Sequence, residues 1–198
     1  MKKQLIAAAV LSTLLSGAAF AQQTTEGQWM VRARAVHLES DNGDSTGLGL
    51  SMNNKWMPEV DVSYFFNPNM AVELILTVPQ KHTLYSNGAD IGTFKHLPPT
   101  LLAQYHFPMN GFKPYVGAGI NYTRFSSVDL KVAGASIDKN SWGPALQVGV
   151  DIPLSKGVYL NFDLKKVYIR TDVSLNSAKI GEFKADPLLV GVGLGWRF

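Results

Sequence analysis

Asp186-Pro187-Leu188-Leu189-Val190-Gly191-Val192-Gly193-Leu194-Gly195-Trp196-Arg197-Phe198 is the stretch from which the fold can be read. Leu188, Val190, Val192, Leu194, Trp196 and Phe198 recur at every second position, and a strand sends successive side chains to opposite faces. One face is therefore continuously apolar, while the other carries Gly191, Gly193, Gly195 and Arg197, which implies that room is scarce on that side. Two aromatic residues at the end of a strand suit a membrane interface.

The rest of the chain repeats the period. Residues 29–38 place Arg32 and Arg34 opposite Trp29, Val31, Ala33 and Ala35; residues 56–66 place Glu59, Asp61 and Ser63 opposite Val60, Val62, Tyr64 and Phe66. Further strands are expected over 70–82, 97–107, 112–125, 142–152 and 158–171, with 186–198 as the eighth. Short turns at 67–69, 108–111 and 153–157 alternate with long polar segments at 39–55, 83–95, 126–140 and 172–185, which are expected to be loops. Long and short connections in alternation, strands of ten or so residues, and aromatics at both predicted ends fit a transmembrane barrel. The expected girdles are Trp29, Phe66, Phe107, Phe112 and Phe198 at the short-turn side and Trp56, Tyr122, Trp142 and Tyr168 at the other.

The first 21 residues fit this picture. Lys2 and Lys3, an apolar run from Leu5 to Leu15 and Ala19-Phe20-Ala21 have the form of a cleaved export signal, leaving residues 22–198 as one domain. Without Lys2 and Lys3 the 18 basic residues come nearly into balance with 15 acidic ones, so a nucleic-acid partner has no support. With no cysteine there is neither a disulfide framework nor a thiolate metal site. After residue 21 no apolar run is long enough for a helical span, so only a closed barrel satisfies its backbone in lipid. A soluble eight-stranded barrel would turn the same faces the other way. The export signal, the two girdles and the terminal aromatic together select an all-β, eight-stranded antiparallel up-and-down barrel in the bacterial outer membrane, surrounded by its lipids.

That orientation assigns an interior. Arg32, Arg34, Glu59, Asp61, Glu73, Asp151, Asp163, Lys165 and Arg197 are expected to form a charge network in a lumen just wide enough for side chains. Such a lumen resists an apolar solute, which displaces hydrogen-bonded groups without replacing them. Pro58, Pro79, Pro98 and Pro99 lie toward the outer ends of the second, third and fourth strands; lacking a backbone donor, they predict an incomplete ladder and a lateral exit there. His82 and His96 bracket the second long segment, where solvated rim histidines are expected rather than a metal site. No arrangement of nucleophile and base stands out, so no enzyme activity, cofactor or metal is expected.

The terminal strand is similar to that of other bacterial outer-membrane barrels, whose final Phe is recognised by the assembly machinery, a role that the similarity gives to Phe198. Val72-Glu73-Leu74, the runs 97–105 and 113–123, and Ser141-Trp142-Gly143 resemble the OmpW family. The resemblance covers nearly all of residues 22–198 and implies uptake of small hydrophobic molecules, or a non-conducting or receptor role toward bacteriocin or phage. It also implies an apolar gate below an outer funnel, with its aliphatic member at Ile75; independently of the resemblance, Ile75 and Leu102 are expected to be where a solute rests before leaving sideways. The family's aromatic member falls on Lys165, which departs from an apolar gate.

Overall fold

The computed structural model describes residues 27–198. The export signal expected at residues 1–21 lies outside the described residues. Fifteen strands occur in chain order: β1 (Trp29–Glu39), β2 (Gly43–Asp44), β3 (Leu50–Met52), β4 (Lys55–Phe65), β5 (Met70–Thr77), β6 (Gln80–Ser86), β7 (Ala89–Leu97), β8 (Thr100–His106), β9 (Lys113–Leu130), β10 (Ala135–Ile137), β11 (Asn140–Ser155), β12 (Val158–Val167), β13 (Arg170–Leu175), β14 (Ala178–Lys184) and β15 (Leu188–Arg197). Eight of them, β1, β4, β5, β8, β9, β11, β12 and β15, pair antiparallel with their neighbours, and β1 pairs with β15 to close the ring. Closure runs to the last residue, because Trp29 and Phe198 exchange backbone hydrogen bonds of 3.0 and 2.9 Å.

Orientation of the faces follows from what each side carries. Outward positions between the two aromatic rows hold Val60, Leu74, Leu101, Ile120, Val148, Leu164 and Val192, all exposed. Among the described residues of these eight strands, the one Asp, Glu, Lys or Arg that faces outward between the rows is Lys166, beside Tyr168 of the outer row and paired with Asp41 at 3.0 Å, whereas a soluble barrel would hydrate that whole surface. Trp29, Phe66, Phe107, Phe112 and Phe198 are exposed at the short-turn end, and Trp56 and Trp142 at the other, with Trp142 against Tyr122 at 4.7 Å.

The four long segments are not the open loops expected from their polarity. Residues 39–55 contain β2 and β3, and β9 carries the third segment to Leu130 before β10. β13 and β14 form a hairpin that joins β10 and β2 in a second sheet. The third expected strand, 70–82, breaks at Thr77; its outer part is β6, which pairs with β7, and β7 pairs with the extension of β9. These strands alternate in the opposite sense from the barrel wall. Leu84, Phe94 and His96 point in, while Lys81, Thr83 and Lys95 point to water. Polar outward residues made the segments resemble loops.

His82 and His96 are buried in this hairpin outside the spanning strands, contrary to the solvated rim expected of them. Their rings stack at 4.7 Å and 12°, flanked by Phe94 and Phe125. Burial pushes the His82 imidazole down to about 4 and that of His96 to about 3, with His82 and Lys55 adding repulsion at His96. An unfolded histidine titrates near 6.5. Because both folded values are depressed, the hairpin has its full stability above about pH 6.5 and loses it as the pH falls toward 4. Amide exchange over 80–97, corrected for intrinsic rates, is expected to quicken between pH 7 and 4.5, and the His82→Phe/His96→Phe variant to lose this dependence.

Candidate functional site

The lumen is layered. At the short-turn end, Met30, Phe65, Ala71 and Tyr159 form a small apolar cluster. Arg197 caps it, with its guanidinium 3.8 Å from the centre of the Phe65 ring and Nε donating to the Gly27 carbonyl at 2.8 Å. Arg197 thus stands at the mouth, below the charge network to which parity assigned it.

Above lies the network itself. Arg32 donates to Asp151 at 2.7 Å, Asp61 at 3.1 Å and Ser63 at 2.9 Å. Arg34 reaches Glu59 at 2.7 Å, Glu73 at 2.9 Å and Asn161 at 2.7 Å, and pairs with Asp61 at 2.7 Å. Lys165 bridges Glu59 and Asp163 at 2.7 and 2.6 Å. Five carboxyl groups outnumber these three cations, and neutral donors hold the remaining oxygens: Gln104 and Gln147 on Glu73, Tyr115 on Asp163. Charge-assisted bonds of this length cross-tie the lumen at this level.

The glycine face of β15 makes room for this layer. A Cβ at Gly195 would lie 2.6 Å from Met30 Cε and 3.1 Å from Arg32 Cγ, and one at Gly193 would strike the Ala33 carbonyl. The space that is scarce along residues 191–195 is taken by the Arg34 stem at Gly191, by Met30 and the Arg32 stem at Gly195, and by the backbone of β1 at Gly193.

Outward of Lys165 the lining changes to hydrocarbon. Val36, Leu38, Met57, Ile75, Leu102, Val167 and Leu189 belong to one buried cluster that continues through Leu84, Phe94 and Phe125. Ile75 and Leu102 point inward here, as parity places them, whereas Lys165 is ion-paired into the layer below. Val36 and Leu189 share the inward parity of the charged residues, but neither they nor Leu38, Met57 and Val167 are expected above to form an apolar lining, although the inward row turns apolar toward the outer end of these strands. A cavity of about 200 Å³ opens at the outer end, lined by Leu50, Leu84, Ile91, Leu130, Val173 and Ile180. A smaller one of about 20 Å³ lies against the charged floor, lined by Ile75, Thr77, His96, Pro98 and Lys165 among others.

The smaller cavity abuts a break in the wall. The β5–β8 ladder ends at Ile75↔Thr100, and the β6–β7 ladder begins at Gln80↔His96. Between these pairs, four residues on one side (76–79) face three on the other (97–99), and neither ladder includes them. The unequal count has two consequences. Even-numbered residues point out as far as Val78 and in from Gln80, so the apolar row crosses from the lipid face to the interior at Pro79. Pro79, Pro98 and Pro99 cannot donate to a ladder there. The Pro98 and Pro99 carbonyls turn away and accept from Asn121 Nδ2 at 3.2 Å each. Pro58 stands apart from the break: it pairs with Ala35 in the intact β1–β4 ladder, and its carbonyl accepts from the Thr77 hydroxyl at 2.8 Å. Among the described residues no cluster of three or more His, Cys, Asp or Glu has the form of a metal site.

Known proteins share this architecture. The chain is 36% identical to outer membrane protein W of Escherichia coli over 217 aligned residues, covering all of both chains. It is 33% identical to the dibenzothiophene metabolism operon protein PahQ of Pseudomonas aeruginosa, across 70% of this chain and 69% of that one. The crystal structure of OprG from Pseudomonas aeruginosa superposes with a TM-score of 0.76 at 26% identity, covering 90% of this chain and 99% of that one. The OmpW family model matches residues 22–198. An eight-stranded barrel with an apolar exterior, matched along this length, places the chain in the bacterial outer membrane as a member of the OmpW family.

Proposed function

We propose that this barrel admits small hydrophobic molecules from outside and releases them sideways into the membrane through the break between β5 and β8. The observation that carries this reading is the position of the break. It lies where the apolar chamber meets the charged layer, so the downward path ends at the point where the wall is unpaired. The gap of four residues against three spans roughly 13 Å along the strand, at 3.3 Å per residue. A dry apolar cavity of about 150 Å³ accommodates benzene, so a chamber of about 200 Å³ suits a solute of that class. The operon named for the relative PahQ, dibenzothiophene metabolism, concerns an apolar aromatic and agrees with this class.

Each candidate residue then has a part. Ile75 and Leu102 form the floor against which the solute rests; Lys165, held by Glu59 and Asp163, closes the route below. Pro79, Pro98 and Pro99 keep the window unpaired, and Pro58 lies one strand away from it. Phe198 is backbone-paired with Trp29 and its exposed ring is the part offered to the barrel-assembly machinery.

Two measurements test this. In cells expressing the barrel as their sole route, Thr77→Trp or the Pro79→Val/Pro98→Val pair is expected to slow uptake of an apolar fluorescent tracer several-fold, while Gln147→Ala, in the charged layer, leaves it unchanged. Uptake that is indifferent to the window and rises on loosening the layer would show an axial route instead. Arg34→Leu leaves Glu59, Asp61 and Glu73 short of a cation and is expected to cost about 3–5 kcal/mol, read as a lower urea midpoint in detergent-free lipid discs.

A further inference from the structure

Between the outer cavity and the smaller one beside the window stand His82, Phe94, His96 and Phe125, packed ring against ring. His96 itself lines the small cavity beside Pro98, and His82 lies one inward position further out, below Leu84 of the large one. The two imidazoles stand against Phe94 and Phe125, with Gln80, Thr100, Asn121 and Thr123 as the neighbouring buried polar side chains. Both side chains are buried, 1% and 2% exposed, and the Nε2 atom of each meets no hydrogen-bond partner among the described residues. An unsatisfied buried polar atom is costly, so two stacked side by side call for an explanation.

The tautomer of His82 follows from its other nitrogen. Nδ1 lies 3.0 Å from the Asn53 carbonyl oxygen, which can only accept, so Nδ1 carries the proton. In the neutral ring Nε2 is then a bare acceptor. Burial holds His82 and His96 neutral through the physiological range, so the acceptor persists there. His82 is fixed in this state by backbone, since Asn53 also receives the Thr83 amide at 2.8 Å through its side chain.

The geometry points to a recognition site: the His82–His96 stack selects, among apolar solutes entering the chamber, those bearing a single O–H or N–H donor, such as phenols and other small aromatic alcohols. The flat face of the solute lies against Phe94 and Phe125, and its hydroxyl donates to His82 Nε2. A plain hydrocarbon fits the same chamber but leaves that atom unpaired. This rests on the uptake reading above and names the solute class for it.

The test compares 4-ethylphenol with ethylbenzene, which differ by the hydroxyl. His82→Phe/His96→Phe keeps the aromatic stack and removes the nitrogens. In cells, the variant is expected to take up 4-ethylphenol about tenfold more slowly, the loss of one buried hydrogen bond, with ethylbenzene uptake unchanged or faster. In lipid discs holding the wild-type barrel with 15N-labelled histidine, titrated 4-ethylphenol is expected to shift the His82 Nε2 resonance, and ethylbenzene to leave it in place. Equal slowing of both solutes by the variant, or an Nε2 signal unmoved by the phenol, overturns the assignment. Should the wild-type barrel carry neither solute above cells without it, the uptake reading fails, and the Nε2 titration still decides whether the stack recognises a donor.

Discussion

The wall of this barrel depends on the ion layer that fills its middle. Seven of the eight wall strands contribute a polar side chain to the network around Arg32, Arg34 and Lys165, and the eighth, β15, contributes the glycines that let the arginines in. Such a layer is a poor source of net stability, since taking the charges from water costs about as much as their pairing returns. What it supplies is geometry and closure. Glu59, Glu73, Asp151 and Asp163 are each held from two or more strands and Asp61 by both arginines of β1, so the bore is cross-tied at this level, and an apolar group gains nothing by entering it.

In the lateral route proposed above, the ion layer is the floor and the apolar cluster over it the chamber. The place such a window can take is then constrained from both sides. Deep in the membrane an open ladder would expose backbone groups to lipid at several kcal/mol each. Far above the membrane a break would open only to water. At 76–79 and 97–99 prolines remove the donors that an open edge would otherwise leave stranded, and Asn121 takes up the Pro98 and Pro99 carbonyls. The excess residue on the β5 side does a second job, turning the apolar row from outside to inside as the chain leaves lipid for water.

That reversal explains how far the sequence could be read. Within the spanning strands, alternation reports lipid against lumen, and it located Arg32, Glu59, Glu73, Ile75 and Leu102 on the inner face without any coordinates. The glycines of β15 reported a crowded interior for the same reason: a strand can lack side chains on one face only where something else fills the space. Beyond Pro79 the rule inverts. Lys81, Thr83 and Lys95 are outward because water is outside, and a polar stretch read with the barrel's rule looks like a loop, which hid β6, β7, β13 and β14. Arg197 shares the parity of the network but stands too near the strand end to join it, and period two carries no information on depth. The His82–His96 contact is the two-residue diagonal of the β6–β7 hairpin, and what the sequence did not show is that this hairpin turns both rings inward.

The direction of flow needs no driving device under this arrangement. An apolar molecule in water gains roughly 25 cal/mol for every Å² it buries, in the chamber or in lipid alike. The chamber therefore cannot be a deep trap relative to the membrane beside it, and what it changes is the barrier, by replacing a crossing through hydrated surface groups with a continuous apolar contact. A lone acceptor at the histidine stack fits the same logic. On the proposed route, one hydrogen bond to His82, at about 0.5–1.5 kcal/mol net, would favour a donor-bearing solute over its hydrocarbon analogue and still let it go on past Pro98.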